Sequence, residues 1–173
     1  MSTGDTVVSG TNDGVGAPSE LRSVFSAFPS GVAAVCAQRD QQLVGMAVST
    51  FTPVSLNPPL ISLCIQRTSS TWSRLRAAPN VGVSILGEHH ERVCRQLASK
   101  DGDRFFGVDT IAAPSGSIYI TESCAWFDCS IELEIDVGDH LIVVLRILQT
   151  GMSNAAGPLV FHRSRFRRLM EAS

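Results

Sequence analysis

Residues 125–136 constrain the fold most strongly, because apolar and polar side chains alternate there without interruption. Side chains alternate between the two faces of a β-strand, so this pattern predicts a strand with one buried and one wet face. The apolar row consists of Ala125, Phe127, Cys129, Ile131, Leu133 and Ile135. After a turn at 138–140, residues 141–148 are apolar on both sides apart from Arg146. Such a strand needs cover on both faces, which we assign to the core and to a partner subunit.

The rest of the chain contains further short strands separated by turn residues. We expect strands in VAAVCAQ, VGMAVSTFTPVSL, LISLCIQ, VGVSIL, PLVFH and RFRRL, and helices after Ser19, in TSSTWSRLRAAPN and in EHHERVCRQLAS. Ser19 is the predicted N-cap of the first helix, whose apolar face comprises Leu21, Val24, Phe25 and Phe28. Residues 100–122 are predicted to be irregular. Roughly seven or eight strands with short turns favour a mainly β fold with antiparallel pairing and partial barrel closure.

The stretch VGMAVSTFTPVSLNPPL, residues 44–60, reads as one strand with two unequal faces. The even positions carry bulky or branched side chains, starting with Val44, Met46 and Val48. The odd positions begin with small residues, namely Gly45, Ala47 and Ser49. A face with so little side-chain volume packs poorly unless another group fills the space. Pro53 and the prolines at 58–59 predict a bulge or bend near this part of the strand.

Composition sets the broad class of the protein. Its 173 residues fit one domain, and we predict a disordered tail over residues 1–18 followed by a single domain over residues 19–173. The net charge of −2 provides no basic surface for nucleic acid. No apolar run reaches membrane-spanning length, and the N-terminus lacks the features of a secretory signal. Charged residues make up only 17%, so surplus apolar surface points to a partner subunit.

Five cysteines occur at scattered positions, and no two of them form a CxxC pair. The odd count argues against a disulfide framework, and cysteines inside apolar stretches are expected to pack as small hydrophobic residues. This usage fits a reducing cytoplasm. No Cys, His or carboxylate set has the spacing of metal ligands, so no metal site is predicted.

Two polar segments are candidate phosphate sites. Three hydroxyl residues precede a predicted helix: Ser69, Ser70 and Thr71. The N–H groups at a helix N-terminus attract phosphate, but a plain N-cap also explains one of these hydroxyls, and both interpretations stay open. Ser99, Lys100 and Arg104 would add charge to the same anion, or would simply belong to a solvated loop.

His140 is the candidate with the clearest chemistry. It follows Gly138 and Asp139 in a GDH turn and begins an apolar strand. An imidazole there would hydrogen-bond a ligand or serve in acid–base chemistry near neutral pH, while a turn histidine with no task is the alternative.

Together these features resemble the short-chain flavin reductases, the reductase components of two-component flavin-dependent monooxygenases. The resembling segments include FPSGVAAVCA, GMAVSTFTPVSLNPPLISLCI, SILGEHHERVCRQLASKDGDRFFGV, AWFDCSIE, GDH and GPLVFHRSRFRRL, which cover nearly all of residues 21–169. The resemblance implies a split β-barrel with Greek-key order that forms a homodimer. It also implies that NADH or NADPH reduces FMN or FAD, which then leaves for a separate oxygenase.

The resemblance also assigns roles to individual residues. The isoalloxazine ring is expected along Val48, Ser49 and Thr50. The ribityl and phosphate groups are expected near Ser69, Ser70, Thr71, Ser99 and Lys100. His140 is expected beside the nicotinamide, in a positioning role. NADH is favoured over NADPH, because the sequence contains no obvious arginine cluster for a 2′-phosphate.

Two alternative functions stay open, and the sequence differs from the family pattern at one place. The same barrel would also serve a flavin carrier or redox sensor without turnover, or an enzyme like pyridoxamine-phosphate oxidase. After the GDH turn, related sequences commonly carry a lighter strand with a glycine and an acidic residue, whereas this chain has Leu145 and Arg146. We expect this difference to alter the mouth of the nucleotide site or the dimer contact.

Overall fold

The computed structural model describes residues 16–153 and 157–169. The helices are α1 (Pro18–Phe25), α2 (Ser70–Leu75) and α3 (Glu91–Ala98), the last preceded by a 3-10 turn over Glu88–His90. The strands are β1 (Ser30–Gly31), β2 (Ala33–Arg39), β3 (Gln42–Val48), β4 (Thr52–Leu56), β5 (Pro59–Gln66), β6 (Val81–Ile85), β7 (Thr110–Ala112), β8 (Ile118–Ile120), β9 (Ala125–Val137), β10 (His140–Met152), β11 (Val160–His162) and β12 (Arg165–Arg167). The predicted tail lies almost wholly in residues 1–15, outside the described residues.

Seven strands form one antiparallel sheet in the order β3-β2-β6-β9-β10-β5-β4. This confirms the predicted mainly β fold with antiparallel pairing. The long hairpin of β9 and β10 is also confirmed, and His140 pairs with Val137 across a tight turn in which Gly138 has a φ of +59°. The prediction of one buried apolar row was wrong beyond Ile131, because a register shift in the ladder leaves Leu133 and Ile135 51% and 43% exposed. Strands β7 and β8 fall inside the segment predicted to be irregular. Each has only three residues, too few for a periodic pattern to be detected.

The chain passes from one edge of this sheet to the other between β3 and β4. Only three residues separate the two strands, so Val48 and Thr52 are at most about 15 Å apart. A flat sheet of seven strands would place its edge strands about 29 Å apart. The sheet must therefore curl until its two edges approach each other. The prediction of one continuous strand over residues 44–60 was wrong, because the chain bends at residues 49–51, although the bulge expected near Pro53 is present.

Thr50 ties this crossover to the far edge of the sheet. Its Oγ1 accepts a hydrogen bond from the Cys64 backbone N–H at 2.9 Å and donates one to the Cys64 carbonyl at 3.0 Å. Strand β4 pairs with β5 only as far as Ser62, so the Thr50 hydroxyl takes the place of a strand partner for Cys64. Both edge polar groups of Cys64 are thereby satisfied.

The curled sheet separates two apolar cores. The branched face of β3 lies inside the curl, where Val44 and Val48 pack with residues of β5, β6 and β10. The small face lies outside, where Ala47 packs against a second cluster that includes Leu97 of α3. One end of the inner core is covered by Trp72 of α2, whose Nε1 donates to a Glu134 carboxylate oxygen at 2.7 Å.

The first helix departs from its prediction. It begins at Pro18, with Ala17 in the N-cap position, so the assignment of Ser19 as the cap was wrong. Its apolar stripe is exposed rather than buried, and Phe28 just beyond it is 78% exposed. The periodicity correctly indicated a helix with an apolar side, but the described part of the chain buries none of the helix residues.

None of the five cysteines, all of which lie among the described residues, forms a disulfide bond. Burial raises the pKa of the Cys36 and Cys129 thiols to about 12 and that of Cys94 to about 11, as expected for packing residues. Cys64 is exposed, so the packing interpretation was wrong for this residue within a single chain.

Replacing Thr50 by valine should destabilise the fold by about 1–3 kcal/mol, because two polar groups of the Cys64 backbone lose their partner. The change is measured as the free energy of unfolding in urea. Thr50→Ser keeps the hydroxyl and is the matched control, expected to retain most of the stability. Equal stability of the valine and wild-type proteins would contradict a closing role for this contact.

Candidate functional site

The small face of β3 is filled by the protein itself at its first position. A Cβ atom on Gly45 would lie 2.6 Å from Phe105 Cζ and 2.7 Å from Cys36 Sγ. The sequence analysis expects another group to fill the space beside the small residues, and at Gly45 that group is Phe105, from a loop distant in sequence.

Open space begins further along the same face. Ala47, Val48 and Ser49 line a cavity of about 560 Å³, which we call the apolar cavity. Its other walls come from Val32 before β2, from α3 and the Ser99 that follows it, and from the hairpin of β11 and β12. Those walls comprise Val32, Cys94, Arg95, Ala98, Ser99, Phe161, Ser164 and Phe166. The structure thus brings Val48 and Ser49 together with Ser99 at one cavity.

A second concavity, which we call the basic groove, lies on the other side of the Ser99–Lys100 segment. It is lined by Ser70 and Thr71 of α2 and by Lys100, together with Arg74, Arg104, Asp103 and the β3 residues 42–45. Three cations face one carboxylate, and Asp103 already accepts a hydrogen bond from the Phe105 backbone N–H at 2.9 Å. The groove is therefore suited to an anionic group.

Ser69 has a different role from its two neighbours. Its hydroxyl accepts a hydrogen bond from the Trp72 backbone N–H at 3.1 Å and caps α2. The cap interpretation accounts for this residue, whereas Ser70 and Thr71 line the basic groove. The three hydroxyls do not act as one set, because capping points one of them back into the helix end.

Arg74 and Phe105 were missed by the sequence interpretation. Arg74 follows Ser70 by four residues, so helix geometry puts both on one face, and this spacing could have revealed it. Its Nη2 donates to the Gln42 side-chain oxygen at 3.1 Å. No local pattern indicates Phe105, because its contact with Gly45 joins segments sixty residues apart.

His140 is the first residue of β10 and lines neither concavity. Its Nδ1 is 2.7 Å from a carboxylate oxygen of Asp139, and this hydrogen bond holds the pKa of Asp139 below its ordinary value. Across the sheet His140 pairs with Gln66 of β5, two positions from the Cys64 that Thr50 contacts. The structure therefore places His140 and Thr50 at the same end of β5.

The outer surface of β9 and β10 carries a continuous apolar area, which we call the outer face. Paired residues of an antiparallel ladder share a face, so the register defines its members. They are Leu133, Ile135, Val137, Ile142 and Val144. Arg146 also lies on this side and forms an ion pair with Glu132 at 2.6 Å. Leu145 points the other way and is fully buried in the inner core, so it takes no direct part in any surface site.

Comparison with known proteins identifies the family. A model of the flavin reductase like domain matches residues 25–170. A flavin reductase of Pseudomonas putida is 36% identical over 147 residues, which cover 84% of this chain and 86% of that protein. The chain belongs to the flavin reductase family. This confirms the resemblance inferred from the sequence.

Further relatives of the chain are a reductase subunit and an oxidoreductase. The HsaB reductase subunit of a flavin-dependent monooxygenase from Rhodococcus jostii is 33% identical, over 86% of this chain and 76% of that protein. Among solved structures, the Streptomyces globisporus NADH:FAD oxidoreductase SgcE6, in complex with NAD and FAD fragments, is 33% identical. It superposes with a TM-score of 0.83 over 88% of this chain and 92% of that chain.

No described helix is long and apolar enough to span a membrane. Among the described residues there is also no group of three His, Cys, Asp or Glu residues that could hold a metal ion. His89 and His90 are adjacent in the chain. His90 is buried, and its Nδ1 accepts a hydrogen bond from the Gly87 backbone N–H at 3.0 Å.

Proposed function

We propose that this protein is an NAD(P)H-dependent flavin reductase that supplies reduced FMN or FAD to a separate oxygenase. The observation that carries the proposal is the pairing of an apolar cavity with a basic groove across one short segment, Ser99–Lys100. A flavin has the same division into a flat apolar ring and an anionic tail. The names of the relatives, which include an NADH-dependent FAD reductase and an NADH:FMN oxidoreductase, support the choice of substrates.

In the proposed complex the flavin ring enters the apolar cavity beside Ala47, Val48 and Ser49. The Ser49 and Thr50 backbone, which forms no ladder beyond the end of β3, is able to hydrogen-bond the polar edge of the ring. The phosphate enters the basic groove and meets Lys100 and the helix α2 hydroxyls. Both FMN and FAD are compatible with a groove that is open to solvent.

His140 is proposed as the residue that positions the nicotinamide. The Asp139 carboxylate fixes its Nδ1 side, and no described residue bonds its Nε2 atom. A ring held in this way offers one directed hydrogen bond to a carboxamide without having to exchange a proton. The reaction itself transfers a hydride from NAD(P)H to the flavin, and the protein supplies proximity and orientation. NADH is the proposed donor.

We also propose a homodimer that buries the outer face. Leu133, Ile135 and Val137 are each between 43% and 51% exposed, which is unusual for three residues in one row of a strand. Two of the proposed ligand-binding residues, His140 and Thr50, lie at the edge of this area, so a second copy would help to enclose the site.

Light scattering should give twice the chain mass of 18.5 kDa, and Ile135→Asp should shift the protein toward the monomer. A monomeric wild-type protein would contradict the dimer.

A cytoplasmic location is proposed on the basis of the cysteines. None of the five described cysteines is in a disulfide bond, which supports a reducing compartment.

The enzyme activity is tested by mixing purified protein with NADH and FMN or FAD and following nucleotide oxidation by its absorbance. We expect flavin-dependent oxidation with turnover over many equivalents of flavin. Binding of flavin without oxidation of NADH or NADPH would favour the flavin carrier or redox sensor, and a protein that binds FMN tightly but oxidises pyridoxamine phosphate would favour the oxidase alternative.

Ala47→Leu should weaken flavin binding at least tenfold, because added bulk projects into the apolar cavity. Binding is measured by quenching of flavin fluorescence, and stability by thermal unfolding. Ala98→Gly, which enlarges the same cavity from α3, is a control for general disturbance of its walls. Unchanged flavin affinity in Ala47→Leu would place the ring elsewhere.

His140→Ala should raise the KM for NADH several-fold while leaving the flavin Kd within about twofold, because the side chain lines neither flavin concavity. Steady-state kinetics at saturating flavin measure the first quantity and fluorescence titration the second. His140→Asn retains a hydrogen-bond donor and should recover part of the loss. A nucleotide KM equal to that of the wild type would exclude the positioning role.

A further inference from the structure

Arg104 connects three elements at the basic groove. A single nitrogen, Nη1, donates to the Gly45 carbonyl of β3 at 3.0 Å and to Thr71 Oγ1 of α2 at 2.7 Å. The residue itself belongs to the loop after α3. Its side chain is only partly buried, and it lines the groove together with the two residues it contacts.

The contact with Thr71 fixes the direction of a hydroxyl group. A guanidinium has only donors, so Thr71 Oγ1 must accept from Arg104. The hydroxyl hydrogen is then left to donate in another direction, and the described residues provide no acceptor for it. Since Thr71 lines the basic groove, the remaining donor is available to an anion there.

The loop that carries Arg104 is braced on both sides. Gln96 Nε2 donates to the Asp103 carbonyl at 3.1 Å and to the Phe106 carbonyl at 2.8 Å. Phe105, the next residue, packs against Gly45. Arg104 is thus held by a backbone that cannot shift independently of α3 and β3, which is what a positioning residue requires.

We propose that Arg104 is a positioning residue for the flavin phosphate, which it serves by orienting the Thr71 hydroxyl as a donor and by fixing α2 against β3. The inference rests on the proposed function, because it takes the groove to be the phosphate site. The proposal goes beyond a general electrostatic attraction between the groove and the phosphate, since it assigns the binding of the phosphate to one arginine–threonine pair. Lysine at this position would preserve the charge, but its shorter, flexible side chain ends in a strongly hydrated ammonium that does not hold its donors in the fixed directions of the guanidinium Nη1.

The experiment compares FMN with riboflavin, which has the same ring and no phosphate. Fluorescence titrations give the Kd of both compounds for wild type, Arg104→Gln, Arg104→Lys, Thr71→Val and the Arg104→Gln/Thr71→Val double variant. Arg39→Gln, on the surface beside Asp40, is a control for the loss of one positive charge. Thermal unfolding shows that each variant is folded.

We expect the FMN Kd to rise about tenfold in Arg104→Gln and in Thr71→Val, with the riboflavin Kd changed less than about twofold. The double variant should bind FMN no more weakly than Arg104→Gln alone, because the two residues act as one unit. Arg104→Lys should not restore FMN binding, and Arg39→Gln should resemble the wild type.

Three results would overturn the proposal: equal weakening of FMN and riboflavin, additive effects in the double variant, or full rescue by lysine. If Arg104→Gln does not fold, Thr71→Ser and Thr71→Val decide the matter, since only serine keeps the directed hydroxyl. Wild-type protein that binds FMN without oxidising NADH would contradict the reductase activity alone, and the titrations would still measure the role of Arg104. Wild-type protein that binds neither flavin would overturn both proposals.

Discussion

The fold depends on closing a seven-stranded sheet across its own edges, and the hydrogen bonds between Thr50 and Cys64 lie at the closing point. A sheet edge exposes unpaired backbone groups, and each hydrogen bond that pairs such a group contributes about 0.5–1.5 kcal/mol. One hydroxyl at the crossover satisfies both groups of Cys64. Because the crossover has only three residues, the same contact fixes how tightly the sheet curls and therefore how the inner core packs.

The candidate site is a consequence of this curl. Strand β3 ends where the chain leaves for the opposite edge, so its last residues have no ladder partner beyond Val48. On the outside of the sheet, α3 and its following loop pack over Gly45 but leave space beside Ala47. A cavity thus forms next to unpaired backbone, which is a suitable combination for a flat ligand with polar edges.

The distribution of charge over the surface matters more for binding an anion than the net charge of the chain. The chain carries a net charge of −2, yet Arg74, Lys100 and Arg104 converge on one groove that Asp103 shares. These side chains come from α2 and from the loop after α3, which both pack against β3. Arg104 contributes to that packing as well as to the charge, since it bonds both β3 and α2.

The sequence by itself determined the strands whose side chains alternate over many residues, the bulge near Pro53 and the family. These features depend on neighbours within a few residues, so periodicity and turn chemistry reveal them. Only the tertiary structure decided that residues 44–60 contribute strands to opposite edges of one sheet, that Phe105 fills the space over Gly45, and that Arg104 donates a hydrogen bond to Thr71. Each of these is a contact between segments far apart in the chain, for which local pattern carries no information.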